Sequence, residues 1–161
     1  RLRNHAMELN GEFELGGVGL DEAWRFLGDL KRITPCLPNL VDWGAIDDRS
    51  VRARFKANIG VIPSLEYLSR VTADVVIRVE RLDRDNNAIE YSFDGKAAGI
   101  RYSGKIRLAV MPMAENSTKV SWRAEVDLGR LAPLLSRFVN LDEVVGGIVR
   151  DVVDSIKKCA R

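Results

Sequence analysis

Apolar and polar residues alternate along much of this chain with a period of two. In residues 7–15, Met7, Leu9, Gly11, Phe13 and Leu15 fall on one side and Glu8, Asn10, Glu12 and Glu14 on the other. Residues 51–59 repeat the pattern, with Val51, Ala53, Phe55, Ala57 and Ile59 set against Arg52, Arg54, Lys56 and Asn58. From 65 to 82 the odd positions carry Leu65, Tyr67, Val71, Ala73, Val75, Ile77 and Val79, while Leu68 and Val76 break the polar side. Three further series follow: Ile89, Tyr91 and Phe93; Ile100, Tyr102, Ile106, Leu108 and Val110; and Val120, Trp122, Ala124, Val126 and Leu128. Such alternation predicts strands with one dry and one wet face, and a wet face predicts an antiparallel sheet. The 65–82 run exceeds an ordinary strand, so the sheet is expected to curve. Polar segments at 60–64, 83–87 and 112–117 read as hairpin connections. Gly95 to Gly99 reads as a bulge or tight turn.

Helical spacing occurs in two places. Leu20, Ala23, Trp24 and Leu27 follow i, i+3, i+4, i+7, which predicts an amphipathic helix over 20–28 ended by Gly28. A short second helix over 29–36, capped by Asp29, stops before Pro38. In the last thirty residues or so, Leu131, Leu134, Phe138, Leu141, Val145, Ile148, Val152 and Ile156 step by threes and fours, the signature of a long C-terminal helix. Asn140 followed by Glu143 reads as a capping pair, so a break is expected near 140, and Gly146-Gly147 is a second weak point.

These elements predict an α+β fold: a curved antiparallel sheet of about six or seven strands around a long C-terminal helix, with two short helices after the first strand. Residues 7–161 are read as one domain, and 1–6 as a leader or expression remnant. The dry face mixes small residues (Gly11, Ala53, Ala73, Gly104, Ala124) with bulky aromatics. A bent sheet cannot touch one straight helix along its whole length, so space is expected at one end. The candidate ligand-binding set is Trp24, Leu27, Phe55, Tyr67, Tyr91, Phe93, Tyr102, Trp122, Leu134, Phe138 and Leu141. A filled aromatic core is the alternative. Buried tyrosine hydroxyls need partners, either backbone or a ligand's polar end.

Composition narrows the function. The 161 residues suffice for one domain with its own core. Charge is nearly balanced, 25 basic against 23 acidic residues, which gives no general drive toward nucleic acid. No stretch approaches the ~20 apolar residues of a membrane span. The single histidine, His5, sits in the expected leader, so histidine triads and histidine metal sites are not expected, nor is a cofactor. Gly16-Gly17-Val18-Gly19 lacks the rest of a phosphate loop and reads as a turn. Cys36 and Cys159 read as two thiols in a reducing cytoplasm; one bridge between the early helices and the C-terminal helix is the alternative.

Several segments resemble the CoxG family of carbon monoxide dehydrogenase subunits, within the START-like SRPBCC superfamily. They are Leu9-Asn10-Gly11-Glu12-Phe13, Ala23-Trp24-Arg25-Phe26-Leu27 with Asp29, Cys36-Leu37-Pro38, Ile59-Gly60, Tyr102-Ser103-Gly104-Lys105, Val120-Ser121-Trp122 and Gly129-Arg130-Leu131-Ala132. Asn39 departs from the pattern, since the family usually has Gly after the Pro. The resemblance implies a helix-grip fold with a lipid- or quinone-like molecule in a cleft between sheet and C-terminal helix. It also implies, as an alternative role, recruitment or assembly of a molybdenum-hydroxylase-type oxidoreductase at the membrane. The leading expectation is a non-enzymatic carrier of a hydrophobic small molecule, cytoplasmic or peripheral to the inner face of the membrane. A cyclase or hydrolase of the same superfamily is a third reading.

Overall fold

In the computed structural model, residues 6–56, 72–114 and 116–160 are described. Strands β1 (Ala6–Leu15), β2 (Leu40–Asp47), β3 (Ser50–Lys56), β4 (Thr72–Asp83), β5 (Ala88–Ala97), β6 (Ile100–Met113) and β7 (Ser117–Asp127) form one curved seven-stranded sheet in the order β1-β7-β6-β5-β4-β3-β2. Every neighbouring pair is antiparallel. After β1 the chain crosses to the opposite edge through helices α1 (Leu20–Leu27) and α2 (Leu30–Ile33) and a 3-10 turn (Thr34–Cys36). It then meanders back until β7 lies beside β1. The C-terminal segment forms α3 (Leu131–Ser136) and α4 (Leu141–Cys159).

Local chemistry places most boundaries. The Asp29 carboxylate accepts the Lys31 amide at 3.0 Å and starts α2. The expected break near 140 is present: Asn140 Oδ1 accepts the Glu143 amide at 3.3 Å and caps α4. Gly146-Gly147 does not interrupt that helix. Between β5 and β6 the turn falls on Ala98 and Gly99, at φ 53° and 76°, the left-handed pair of a mirror-image hairpin turn. A bulge lies in β4 instead, between Val79 and Arg81. Asn39 holds φ 63°, the left-handed region where asparagine substitutes for glycine most readily.

One strand was not expected from periodicity. In β2 nearly every side chain is exposed, with Val41 and Ile46 among them, because the strand lies at the sheet edge. Its two half-buried residues, Leu40 and Trp43, are put out of step by a register shift between Leu40 and Asp42, so no alternation is left to read. The part of the 65–82 run before Thr72 lies outside the described residues.

The packed core occupies one end of the concave face. Phe13 and Leu15 of β1, Val51, Val79, Ile89, Leu108, Val110 and Val120 of the other strands are buried there against Ala23, Phe26, Leu27, Leu30 and Ile33 of the short helices. Helix α4 reaches this core with its last turns, through Val153 and Ile156, and with Ala160 just past its end. There the structure corrects the reading of two free thiols: Cys36 and Cys159 form a disulfide, with Cα atoms 6.0 Å apart. Chain topology brings the end of α4 onto the 3-10 turn, a proximity that neither cysteine's local sequence encodes.

Candidate functional site

The other end of the concave face is built differently. Leu9, Phe55, Phe93, Tyr102, Ile106, Trp122 and Val126 face inward there but remain only half-buried. Three inward glycines sit directly opposite aromatic residues on neighbouring strands: Gly11 opposite Trp122, Gly104 opposite Phe93 and Gly95 opposite Tyr102. Each ring lies over its glycine. A Cβ on Gly11 would stand 2.8 Å from Trp122 Cζ2, one on Gly104 2.6 Å from Phe93 Cε2, and one on Gly95 2.5 Å from Tyr102 Cζ. Without a Cβ beneath them the rings lie down on the backbone and form a low aromatic floor. The Phe93 and Tyr102 rings are tilted by 52° with centroids 6.3 Å apart.

The first half of α4 stands off the Trp122 end of this floor. A cleft of about 480 Å³ separates them, lined by Leu9 and Trp122 on the sheet side, Asp142, Gly146 and Val149 on the helix, and Glu8 and Asn10 at the β1 edge. The α4 residues follow i, i+4, i+7, so one helical face forms the wall. A Cβ on Gly146 or Gly147 would meet only the guanidinium tip of Arg150, at 3.8 and 3.6 Å. These glycines therefore leave room rather than let two backbones touch. A second, polar-rimmed hollow of about 340 Å³ lies over β5–β7, with Ser92, Asp94, Ser103, Lys105, Glu125 and Asp127 around it.

The phenol of the floor has its partner within the protein. Tyr102 donates its hydroxyl proton to the Asp74 carbonyl oxygen at 3.2 Å. Burial, with help from the Asp74 charge, pushes its pKa up to about 12, so the phenol stays neutral at ordinary pH. Among the described residues no group of three or more His, Cys, Asp or Glu side chains is arranged to hold a metal.

The residues anticipated as ligand contacts divide by location. Phe93, Tyr102 and Trp122 share the floor, with Phe55 half-buried on β3 farther across the sheet. Leu27 and Tyr91 lie in the packed end, where Tyr91 donates to the Leu27 carbonyl and burial raises its pKa. Trp24 packs against the core from α1 and carries the Arg84 guanidinium 5.2 Å from its ring. Leu141 is half-buried at the start of α4, whereas Leu134 and Phe138 are exposed. Tyr67 lies outside the described residues. Sequence reasoning passed over Gly146 and Val149 as cleft residues. Val149 was visible in the apolar stripe of α4, but Gly146 was legible only as a weak point of a helix.

A family model for CoxG, a subunit of carbon monoxide dehydrogenase, matches residues 11–161. No curated protein sequence matches the chain. Among solved structures, a conserved protein from Geobacillus kaustophilus superposes with a TM-score of 0.76 at 17% identity, covering 96% of this chain and 95% of that one. A protein of Thermus thermophilus gives 0.61 at 15% identity, with 96% and 97% covered. Norcoclaurine synthase from Thalictrum flavum, in complex with dopamine and hydroxybenzaldehyde, gives 0.59 at 12% identity, with 95% and 85% covered. At these identities the likeness shows the fold, a seven-stranded sheet gripping a C-terminal helix.

Proposed function

The chain belongs to the CoxG family of carbon monoxide dehydrogenase subunits, and from that premise we propose that it is a non-enzymatic carrier for a hydrophobic, lipid- or quinone-like molecule held between the sheet and α4. The observation that carries this reading is the contrast between the two ends of one concave face. The end under α1 and α2 is filled to full burial; the end under the first half of α4 leaves Leu9 and Trp122 partly uncovered in an open cleft, with Phe93 and Tyr102 half-buried farther along the same face. Apolar side chains half-covered inside a concavity favour an apolar guest, because its burial removes further surface from water. Covering ~300 Å² of ligand surface contributes roughly 7 kcal/mol before association costs, enough for useful affinity in a preformed cleft.

The carrier reading is preferred to an enzyme on chemical grounds. Among the described residues the inward strand positions hold no carboxylate, the one histidine is His5, and the Tyr102 phenol is committed to a backbone carbonyl. The carboxylates that line the cleft, Glu8 and Asp142, stand at the β1 edge and in the first turn of α4, with no histidine or lysine beside them in the lining to complete an acid–base pair. The test is titration of the purified protein with N-phenyl-1-naphthylamine. Saturable binding at one site per chain, lost in Gly146→Phe, supports the carrier; absence of saturable binding rejects it.

A second reading is recruitment or assembly of a molybdenum-hydroxylase-type oxidoreductase, favoured by the exposed Val41 and Ile46 on edge strand β2. Affinity capture with intact protein, against the same bait carrying Val41→Lys and Ile46→Lys, is expected to recover such an enzyme only with the intact edge. Neither reading requires a membrane span, and no helix among the described residues is long and apolar enough to form one.

A further inference from the structure

We propose that the Cys36–Cys159 disulfide is a redox latch that holds α4 as the wall of the cleft. The inference rests on the carrier reading for its consequence, ligand release, but the latch itself is read from the way α4 is held. None of the 19 residues of α4 is fully buried. The helix starts from the short, exposed α3 and lies half-covered along its length. Among the described residues its first half lies across the cleft from Leu9 and Trp122, while Val153 and Ile156 in its second half, with Ala160 just past its end, rest on the core. The covalent bond adds a fixed attachment at its far end to that packing, joining residues 123 apart in sequence. That separation makes the constraint large, since a cross-link that closes a long loop removes much of the chain's freedom in the released state.

The two sulfurs are placed for exchange. Cys159 is exposed on the last turn of α4, while Cys36 is half-buried in the 3-10 turn. An incoming thiolate reaches Cys159 first. Attack at Cys159 Sγ forms a mixed disulfide there and expels Cys36 as thiolate, which takes a proton from water. A second thiol of the same reductant then attacks its own sulfur of the mixed disulfide and releases Cys159 as thiol. Overall, a protein or small-molecule dithiol gives two electrons and two protons, ending as its own disulfide, while Cys36 and Cys159 end as thiols. The reduced Cys36 has a partner waiting: its Sγ lies 3.3 Å from the Arg32 carbonyl oxygen, within reach of an S–H···O bond. The reduced state thus strands no buried polar atom at that site, and exchange with an oxidised disulfide of the same reductant class, the reverse of these steps, restores the bridge.

Opening the latch frees the end of α4, and with it the face that carries Asp142, Gly146 and Val149. The bridged form is expected to retain a guest and the reduced form to exchange it. The experiment compares the intact 161-residue chain, oxidised or treated with dithiothreitol, with Cys159→Ser and with Cys36→Ala. Hydrogen exchange is followed along 141–160 and along β5–β7, and release of N-phenyl-1-naphthylamine is timed in each form. Reduction and either substitution are expected to lower the melting temperature by about 5–15 °C. They should also speed exchange in α4 at least tenfold, leave β5–β7 protected, and release the probe several-fold faster. The latch is overturned if thiol counting finds no bridge after mild oxidation. It is equally overturned if α4 exchanges at the same rate in both redox states, or if the substituted proteins still respond to dithiothreitol. Failure of the probe to bind either form would reject the carrier reading alone, because exchange in α4 still decides the latch.

Discussion

The indole of Trp122 lies flat across the backbone of Gly11, its direct partner on the neighbouring strand, where even a methyl group would stand 2.8 Å from the ring. That pair fixes the height of the cleft floor. A side chain at 11 must lift the indole toward α4 or push the strands apart. Gly11→Val is therefore expected to destabilise the fold by roughly 1–3 kcal/mol through overpacking and to shift the Trp122 emission. Trp122→Ala is expected to weaken probe binding at least tenfold while the helix-covered core stays intact. Chemical denaturation and probe titration on the same samples check both.

Gly146 is expected to control access. Because a Cβ there meets only the Arg150 side-chain tip, Gly146→Phe can be accommodated and fills the cleft in front of Trp122. Binding should be lost with no loss of melting temperature. Gly147→Ala, beside it, should leave binding intact and stabilise α4 by about 0.5–1 kcal/mol.

The packed end answers to a different residue. Tyr91 donates its hydroxyl to the Leu27 carbonyl, joining β5 to α1 in the core. Tyr91→Phe strands that carbonyl and is expected to cost about 1–3 kcal/mol, measured by urea denaturation, with probe affinity unchanged. Equal losses in stability and binding would contradict the division of the concave face into two ends.

Alkaline pH provides an independent check. Tyr91 and Tyr102 both have folded-state pKa values raised above the ordinary 10.0 by burial. The unfolded chain therefore releases these protons first as pH rises, and the folded state binds more protons in that range. Their contribution is fully present below pH 10 and falls as pH climbs toward the folded-state values. The melting temperature should drop above pH 10, and Tyr91→Phe should make that drop shallower.

Much of the fold was legible because one sheet face is dry. The parity of Leu9, Phe13, Ile106, Val120 and Trp122 assigned their side of the sheet, whereas the threes and fours over 131–156 marked helix but not its inner face, since Ile148 is exposed and Val153 and Ile156 rest on the core. Asn140 marked the break between α3 and α4 because a cap is a local chemical event. Strand β2 was not legible, since the register shift between Leu40 and Asp42 puts its half-buried Leu40 and Trp43 out of alternation. The disulfide was not legible either, because Cys36 and Cys159 meet through topology. Within the candidate site, parity brought Phe93, Tyr102 and Trp122 inward but could not tell the filled end from the open one. Tyr91 and Leu27 share the inward direction with those rings and lie in the filled end. What separates them is the distance of α4 from the sheet, a tertiary quantity.

Asn39 tests how far the family's glycine at this turn reflects backbone conformation. At φ 63° any β-carbon is strained, but the asparagine side chain tolerates the region. Asn39→Gly should leave stability nearly unchanged, whereas Asn39→Val should cost roughly 1–2 kcal/mol, read as a shift in the denaturation midpoint.

Native mass spectrometry of freshly purified protein, beside its Gly146→Phe variant, decides whether the cleft between Trp122 and α4 holds an apolar guest. The expected spectrum of the intact protein carries a mass adduct at one per chain that partitions into organic solvent and is absent from the variant. An unadorned chain in both samples, with no apolar compound in the extract and no uptake of added lipid or quinone, would mean that the cleft carries no such guest.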